Sequence, residues 1–131
     1  MTAPLTLALV GGVAVGGAVG AVLRLLLDRA LPFGILAANT LGCLVLGFLF
    51  GAFSAHGGEG QEPAGGIFAE PAVTVLSFGL LGALSTFATV SLRVAQLWMG
   101  GHRGRALGMW ALHVVLGFAA AAAGVVLSGL L

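Results

Sequence analysis

Pro71–Leu92 reads PAVTVLSFGLLGALSTFATVSL, a run without Asp, Glu, Lys or Arg. A hydrocarbon core about 30 Å thick is crossed by about 20 residues of α-helix, so this run is long enough to span a bilayer. Its middle, Gly79–Thr89 (GLLGALSTFAT), holds Ser85, Thr86 and Thr89 around Phe87, with Gly79 and Gly82 just before them. In lipid, an unpaired backbone or hydroxyl group costs several kcal/mol. A glycine-rich, hydroxyl-bearing patch at mid-depth predicts a broken helix that lines something.

Three further runs lack charged residues: Met1–Leu23, Phe33–Phe53 and Ala106–Leu131. The chain has 131 residues, 60% of them hydrophobic and 7% charged, against about 25% charged in soluble domains. The expected fold is an all-α integral membrane protein with one domain, residues 1–131, and spans at about 4–27, 33–55, 71–98 and 106–130. The first run exceeds the apolar region of a signal peptide and has no basic residue ahead of it, so it is expected to persist as a helix. A single cysteine, Cys43, leaves no intramolecular disulfide. It reads as a small apolar side chain within the second span. With no soluble domain, nucleotide loop, metal-ligand cluster or basic patch, the pattern argues against an enzyme and against nucleic acid as a partner.

Charge placement predicts an orientation. Arg24, Arg29, Arg93, Arg103 and Arg105 all lie in or beside the first and third connections, whereas the second, 56–70, carries Glu59, Glu62 and Glu70 and reads as a Gly-rich flexible loop. The positive-inside bias puts connections one and three in the cytoplasm and both termini outside a multi-pass cell-membrane protein. Trp98 and Trp110 flank the basic turn as interfacial tryptophans do. Gly12, Gly16 and Gly20 in span one, and Gly47 and Gly51 in span two, form small-residue seams that let helix backbones approach closely. Four helices leave little room for an interior pathway, which favours an oligomer.

Asn39 stands among apolar neighbours in AANTLGCLVLG. It reads either as a structural hydrogen bond between helices or as an amide donor offered to an anion. Arg24 closes span one and either snorkels to headgroups or forms an electropositive vestibule. His113 in span four reads as a packing residue or a proton relay. No Asp or Glu lies deep in a span, which argues against a proton-coupled exporter of cationic compounds. The remaining set, neutral donors and an arginine, favours a small anion or neutral solute.

Together these residues resemble the CrcB/Fluc family of fluoride channels. GGAVGAVLR (Gly16–Arg24) is similar to the family's GxxGAxxR. Asn39, Gly42 and Gly47 match its N-x-x-G with a following glycine, and Gly79–Val90 is similar to GFCGGFTTFSTF. The resemblance implies an antiparallel dual-topology dimer with two narrow fluoride pores. Asn39, Ser85, Thr86, Phe87 and Thr89 would line the path, with Arg24 at its vestibule. It also implies a structural sodium ion at the dimer centre, held by the backbone carbonyls of Gly82 and Ser85 at the span-three break.

The chain departs from the family pattern in places. Val90 stands where the second pore phenylalanine is expected, Ala88 replaces a serine, and Trp110–Leu127 has His113 as its only polar side chain. With the lopsided arginines, these departures lead us to expect one half of a heterodimer, paired with a homologous subunit inserted oppositely. The leading function is passive export of cytoplasmic fluoride. A non-conducting structural subunit is the second reading, and a small-molecule exporter the third.

Overall fold

The structure is a computed structural model and describes Leu7–His56 and Glu70–Leu130. The acidic connection with Glu59 and Glu62, and the start of the first span at 4–6, lie outside the described residues. Helices α1 (Leu7–Ala30) and α2 (Gly34–His56) come first. The third span is built in pieces: α3 (Glu70–Thr74), a π-helical stretch (Val75–Leu81), α4 (Gly82–Leu84) and α5 (Phe87–Met99). Helix α6 (Arg103–Ser128) ends the chain. Among the described residues, Leu7–Ala30, Gly34–Ala55, Pro71–Met99 and Arg103–Ser128 are long and apolar enough to cross a membrane.

Two glycine seams hold these helices together. Along α1, a Cβ on Gly16 would lie 3.2 Å from the Leu80 amide nitrogen and 3.3 Å from the Val75 carbonyl, and one on Gly20 would collide with the Leu80 carbonyl. The seam read from the sequence therefore packs on the π-helical stretch. Wide π turns are rare and occur mostly as short bulges; here one extends over Val75–Leu81 against backbone that carries no side chains. The second seam joins α2 to α6, the most extensive packing in the bundle. A Cβ on Gly47 would strike the Ala121 carbonyl, and one on Gly124 the Leu44 carbonyl. With no hydrophobic effect between helices in lipid, this close backbone contact supplies the van der Waals attraction that replaces it.

The ends of α1 and α5 lie on one side of the bundle. Arg93 pairs with Asp28 through Nη2, 2.9 Å from Oδ2 and 3.2 Å from Oδ1. Connections one and three therefore share a face. The turn between α5 and α6 closes on Gly101, whose φ of +81° suits glycine. The His102 amide donates back to the Leu97 carbonyl at 2.9 Å. Arg103 stacks over Trp98, 5.3 Å from the ring centroid.

Candidate functional site

The polar groups meet where the third span leaves helical geometry. Ser85 (φ −89°, ψ 122°) and Thr86 (φ −137°, ψ 115°) are extended between α4 and α5. In an unbroken helix the Thr86 amide would donate to the Gly82 carbonyl four residues back. Instead it donates to Oδ1 of Asn39 on α2, at 2.8 Å. Asn39 is 9% exposed, so the bond satisfies an N–H whose orphaning would cost about 1–3 kcal/mol. Because the Thr86 N–H requires an acceptor, the Asn39 amide must present its oxygen there. Its NH₂ group stays available to donate.

The sequence reading puts the break at Gly82 and Ser85; the residues that leave helical geometry are Ser85 and Thr86. Gly82 is helical (φ −62°, ψ −35°), and the Ser85 amide still bonds the Leu81 carbonyl at 2.9 Å. What glycine supplies at position 82 is open space. A Cβ there would find only the Ser77 carbonyl, 3.5 Å away. Gly82, Phe87 and Ala88 are exposed around the interruption.

Asn39, Ser85 and Phe87 line one inner cavity of about 120 Å³, with Cys43, Val90, His113 and Val114 completing its wall. At about 30 Å³ per water, it holds a few small molecules or ions. Phe87 is 65% exposed and presents a ring to both this cavity and the outer surface between Trp98 and Trp110. Thr86 joins the site through its backbone. Thr89 is half-buried on α5 and does not line the cavity, and Arg24 is half-buried on α1 away from it.

A larger cavity of about 640 Å³ opens on the face shared by connections one and three. Its polar wall is Arg93, Gln96, His102, Arg105 and His113, set among Pro32, Phe33, Ile35, Leu36, Met109 and Leu112. Asp28 balances Arg93. Arg105 makes no ion pair among the described residues, so the cavity is electropositive, and clefts of one sign concentrate counter-ions. Arg24, the vestibule residue expected from sequence, does not line this cavity, whose arginines are Arg93 and Arg105. Both belong to the arginine bias already visible in the sequence, but only the packing of α5 against α6 turns them into one cavity.

His113 lines both cavities. Its Nδ1 lies 2.8 Å from the Met109 carbonyl one turn earlier, which requires an N–H at Nδ1. Its Nε2 is buried without a hydrogen-bond partner.

The family model described as CrcB-like protein, Camphor Resistance (CrcB), matches residues 12–125. The chain is similar to a fluoride-specific ion channel FluC of Pseudoalteromonas translucida, 40% identical over 69% of this chain and 74% of that one. It is also similar to a fluoride-specific ion channel FluC 1 of Frankia casuarinae, 37% identical over 86% of this chain and 90% of that one. A third relative, a fluoride-specific ion channel FluC 2 of Halobacterium salinarum, is 37% identical over 84% of each chain. With a family model spanning residues 12–125 and relatives matched over more than two thirds of both chains, this chain is a member of the CrcB family.

Proposed function

We propose that the chain is a subunit of a fluoride-specific channel that lets cytoplasmic fluoride leave the cell passively. One observation carries the reading most directly. The Asn39 amide is locked by the Thr86 N–H so that its NH₂ remains a donor at the wall of an inner cavity, and an electropositive vestibule lies beside that cavity. A neutral donor can hold a small anion without trapping it, as conduction requires. The positive edge of the Phe87 ring is a second compatible surface for an anion. Fluoride efflux from liposomes carrying the purified chain, alone and with a homologous four-span partner, tests the proposal. Efflux no faster than from protein-free liposomes in both preparations would overturn it.

In this reading the interruption at Ser85–Thr86 sits at mid-membrane, connections one and three face the cytoplasm, and both termini face outward. Exposed non-helical backbone is expensive in hydrocarbon unless another protein surface covers it. Ser85 and Thr86 are half-buried, and the helical residues flanking them, Gly82, Phe87 and Ala88, are exposed, which supports an antiparallel dimer whose second subunit packs there and completes the cover. The donor set also fits a sodium ion at that junction. With the Thr86 amide diverted to Asn39, the Gly82 carbonyl has lost its helical donor, and carbonyl oxygens suit hard cations. The Gly82 and Ser85 carbonyls would hold the ion, which would neutralise carbonyl dipoles at the interface.

The arginine bias supports a heterodimer with a homologous, oppositely inserted subunit. The second reading, a structural subunit whose partner carries the working pore, is favoured by Val90. It is 1% exposed and presents no aromatic edge where a second pore ring is expected. Combining Phe87→Leu with Asn39→Asp in the assembled pair separates the two, because the carboxylate still accepts the Thr86 N–H and a purely structural subunit then keeps its flux.

A further inference from the structure

We infer that His113 and Asn39 form a two-point site at which a fluoride ion and a proton bind together, placed between the vestibule and the inner cavity. The inference rests on the fluoride reading above and concerns a polar group in the apolar middle of α6 to which that reading gives no role.

Three observations carry it. Nε2 of His113 is buried and unpartnered, and a buried nitrogen without a partner loses about 1–3 kcal/mol. Its tautomer is fixed, because Nδ1 must keep its hydrogen to bond the Met109 carbonyl. His113 is also a wall residue of both cavities, with Asn39 on the inner one and Arg93 and Arg105 on the outer one.

Chemistry follows from that tautomer. Neutral His113 offers Nε2 only as an acceptor, which repels an anion. A proton taken from the aqueous vestibule onto Nε2 converts it into a charge-assisted donor. The anion is then held by the Nε2–H on one side and the Asn39 NH₂ on the other. The titratable and charged groups that share a cavity wall with His113 are Cys43 from α2, Arg93 from α5, which pairs with Asp28 of α1, and His102 and Arg105 at the start of α6. An anion seated against the Nε2–H pairs with the charge that the proton brings. Proton and anion therefore favour each other's binding, and linkage makes the effect reciprocal. Gln, Ser or Thr at this position would donate without a proton, so the coupling belongs to histidine.

The test reads binding separately from transport. The full-length chain is labelled with ¹⁵N-histidine in detergent, and the ring resonances are followed against added sodium fluoride. The His113 signal is identified by its loss in His113→Gln. At about pH 7, fluoride should move that signal toward the imidazolium position, while equal sodium chloride should not. Fluoride affinity should rise by up to about tenfold per unit of acidification between about pH 8 and about pH 6, as one linked proton requires. His113→Gln and His113→Ser should bind fluoride with no pH dependence over that range. A His113 resonance that ignores fluoride, or variants that keep the wild-type pH dependence, overturns the inference and leaves a buried water as the occupant of Nε2. A channel that conducts fluoride while His113 stays silent sinks only this inference. A His113 that responds while liposomes show no fluoride flux sinks only the transport reading.

Discussion

Replacing Asn39 by Asp separates two tasks that one amide performs. The carboxylate still accepts the Thr86 N–H at the geometry now 2.8 Å long, so the interruption at Ser85–Thr86 should persist. The NH₂ donor is gone. Losing a hydrogen bond to an ion costs about 1.5–3 kcal/mol, and a carboxylate about 4 Å from the anion adds about 4 kcal/mol of repulsion at an effective dielectric of about 20. At 1.36 kcal/mol per decade, either term alone slows fluoride by about tenfold or more, and together they exceed a hundredfold. Asn39→Ala provides the contrast, because it removes the acceptor as well. It should lower the thermal stability of the detergent-solubilised protein by about 1–3 kcal/mol through the orphaned Thr86 amide. Fluoride-electrode recordings of liposome efflux at about pH 8, where the new carboxyl is ionised, give the flux. Efflux within about threefold of wild type in Asn39→Asp would refute the assignment of the NH₂ group to the anion. Equal destabilisation by Asp and Ala would refute the role given to the oxygen.

Gly20→Val should fail to assemble or should unfold at lower temperature by about 1–3 kcal/mol, because its side chain would enter the Leu80 carbonyl and crowd Leu84; detergent-resistant thermal melts report it. Arg105→Glu should slow fluoride efflux at low ionic strength and much less at about 1 M salt, where the screening length falls to about 3 Å. A salt-independent loss would point to a structural role instead. Exchange of sodium for a bulky organic cation should weaken the dimer, read as a shift toward monomer in light scattering, if the Gly82 and Ser85 carbonyls hold sodium. Breaking the Asp28–Arg93 pair with Asp28→Asn should change stability by less than about 1 kcal/mol, since both side chains are partly exposed.

Much of this architecture is written plainly in the chain because lipid imposes simple rules. Four uncharged runs give the spans, and four-residue glycine spacing gives the seams at Gly16 and Gly20 on α1 and Gly47 on α2. Asn39 is conspicuous because a buried amide in hydrocarbon demands a partner. Its partner, however, is a backbone N–H forty-seven residues away, and nothing local marks Thr86 over its neighbours. For the same reason the sequence points to Gly82 and Ser85 for the break, whereas the non-helical pair is Ser85–Thr86, where α2 captures the amide. The π-helical turn is equally hidden, being set by how the stretch rests on α1. Arg24 is conspicuous by its place at a span end, whereas Arg93 and Arg105 come to share one cavity wall only through the turn at Gly101. His113 is a visible signal, as the polar residue of the apolar run Trp110–Leu127, but its unpartnered nitrogen exists only once Met109 takes the other one.

The capture of the Thr86 amide by Asn39 also has a consequence for biogenesis. No proline lies between Gly82 and Phe87, and nothing in that segment forbids a continuous helix. During synthesis the third span can therefore pass into the membrane straight, with the Thr86 amide paired to the Gly82 carbonyl. The interruption then forms only as span three docks on α2 and Asn39 exchanges one bond for another, so the Gly82 carbonyl loses its helical donor only after the two helices have met.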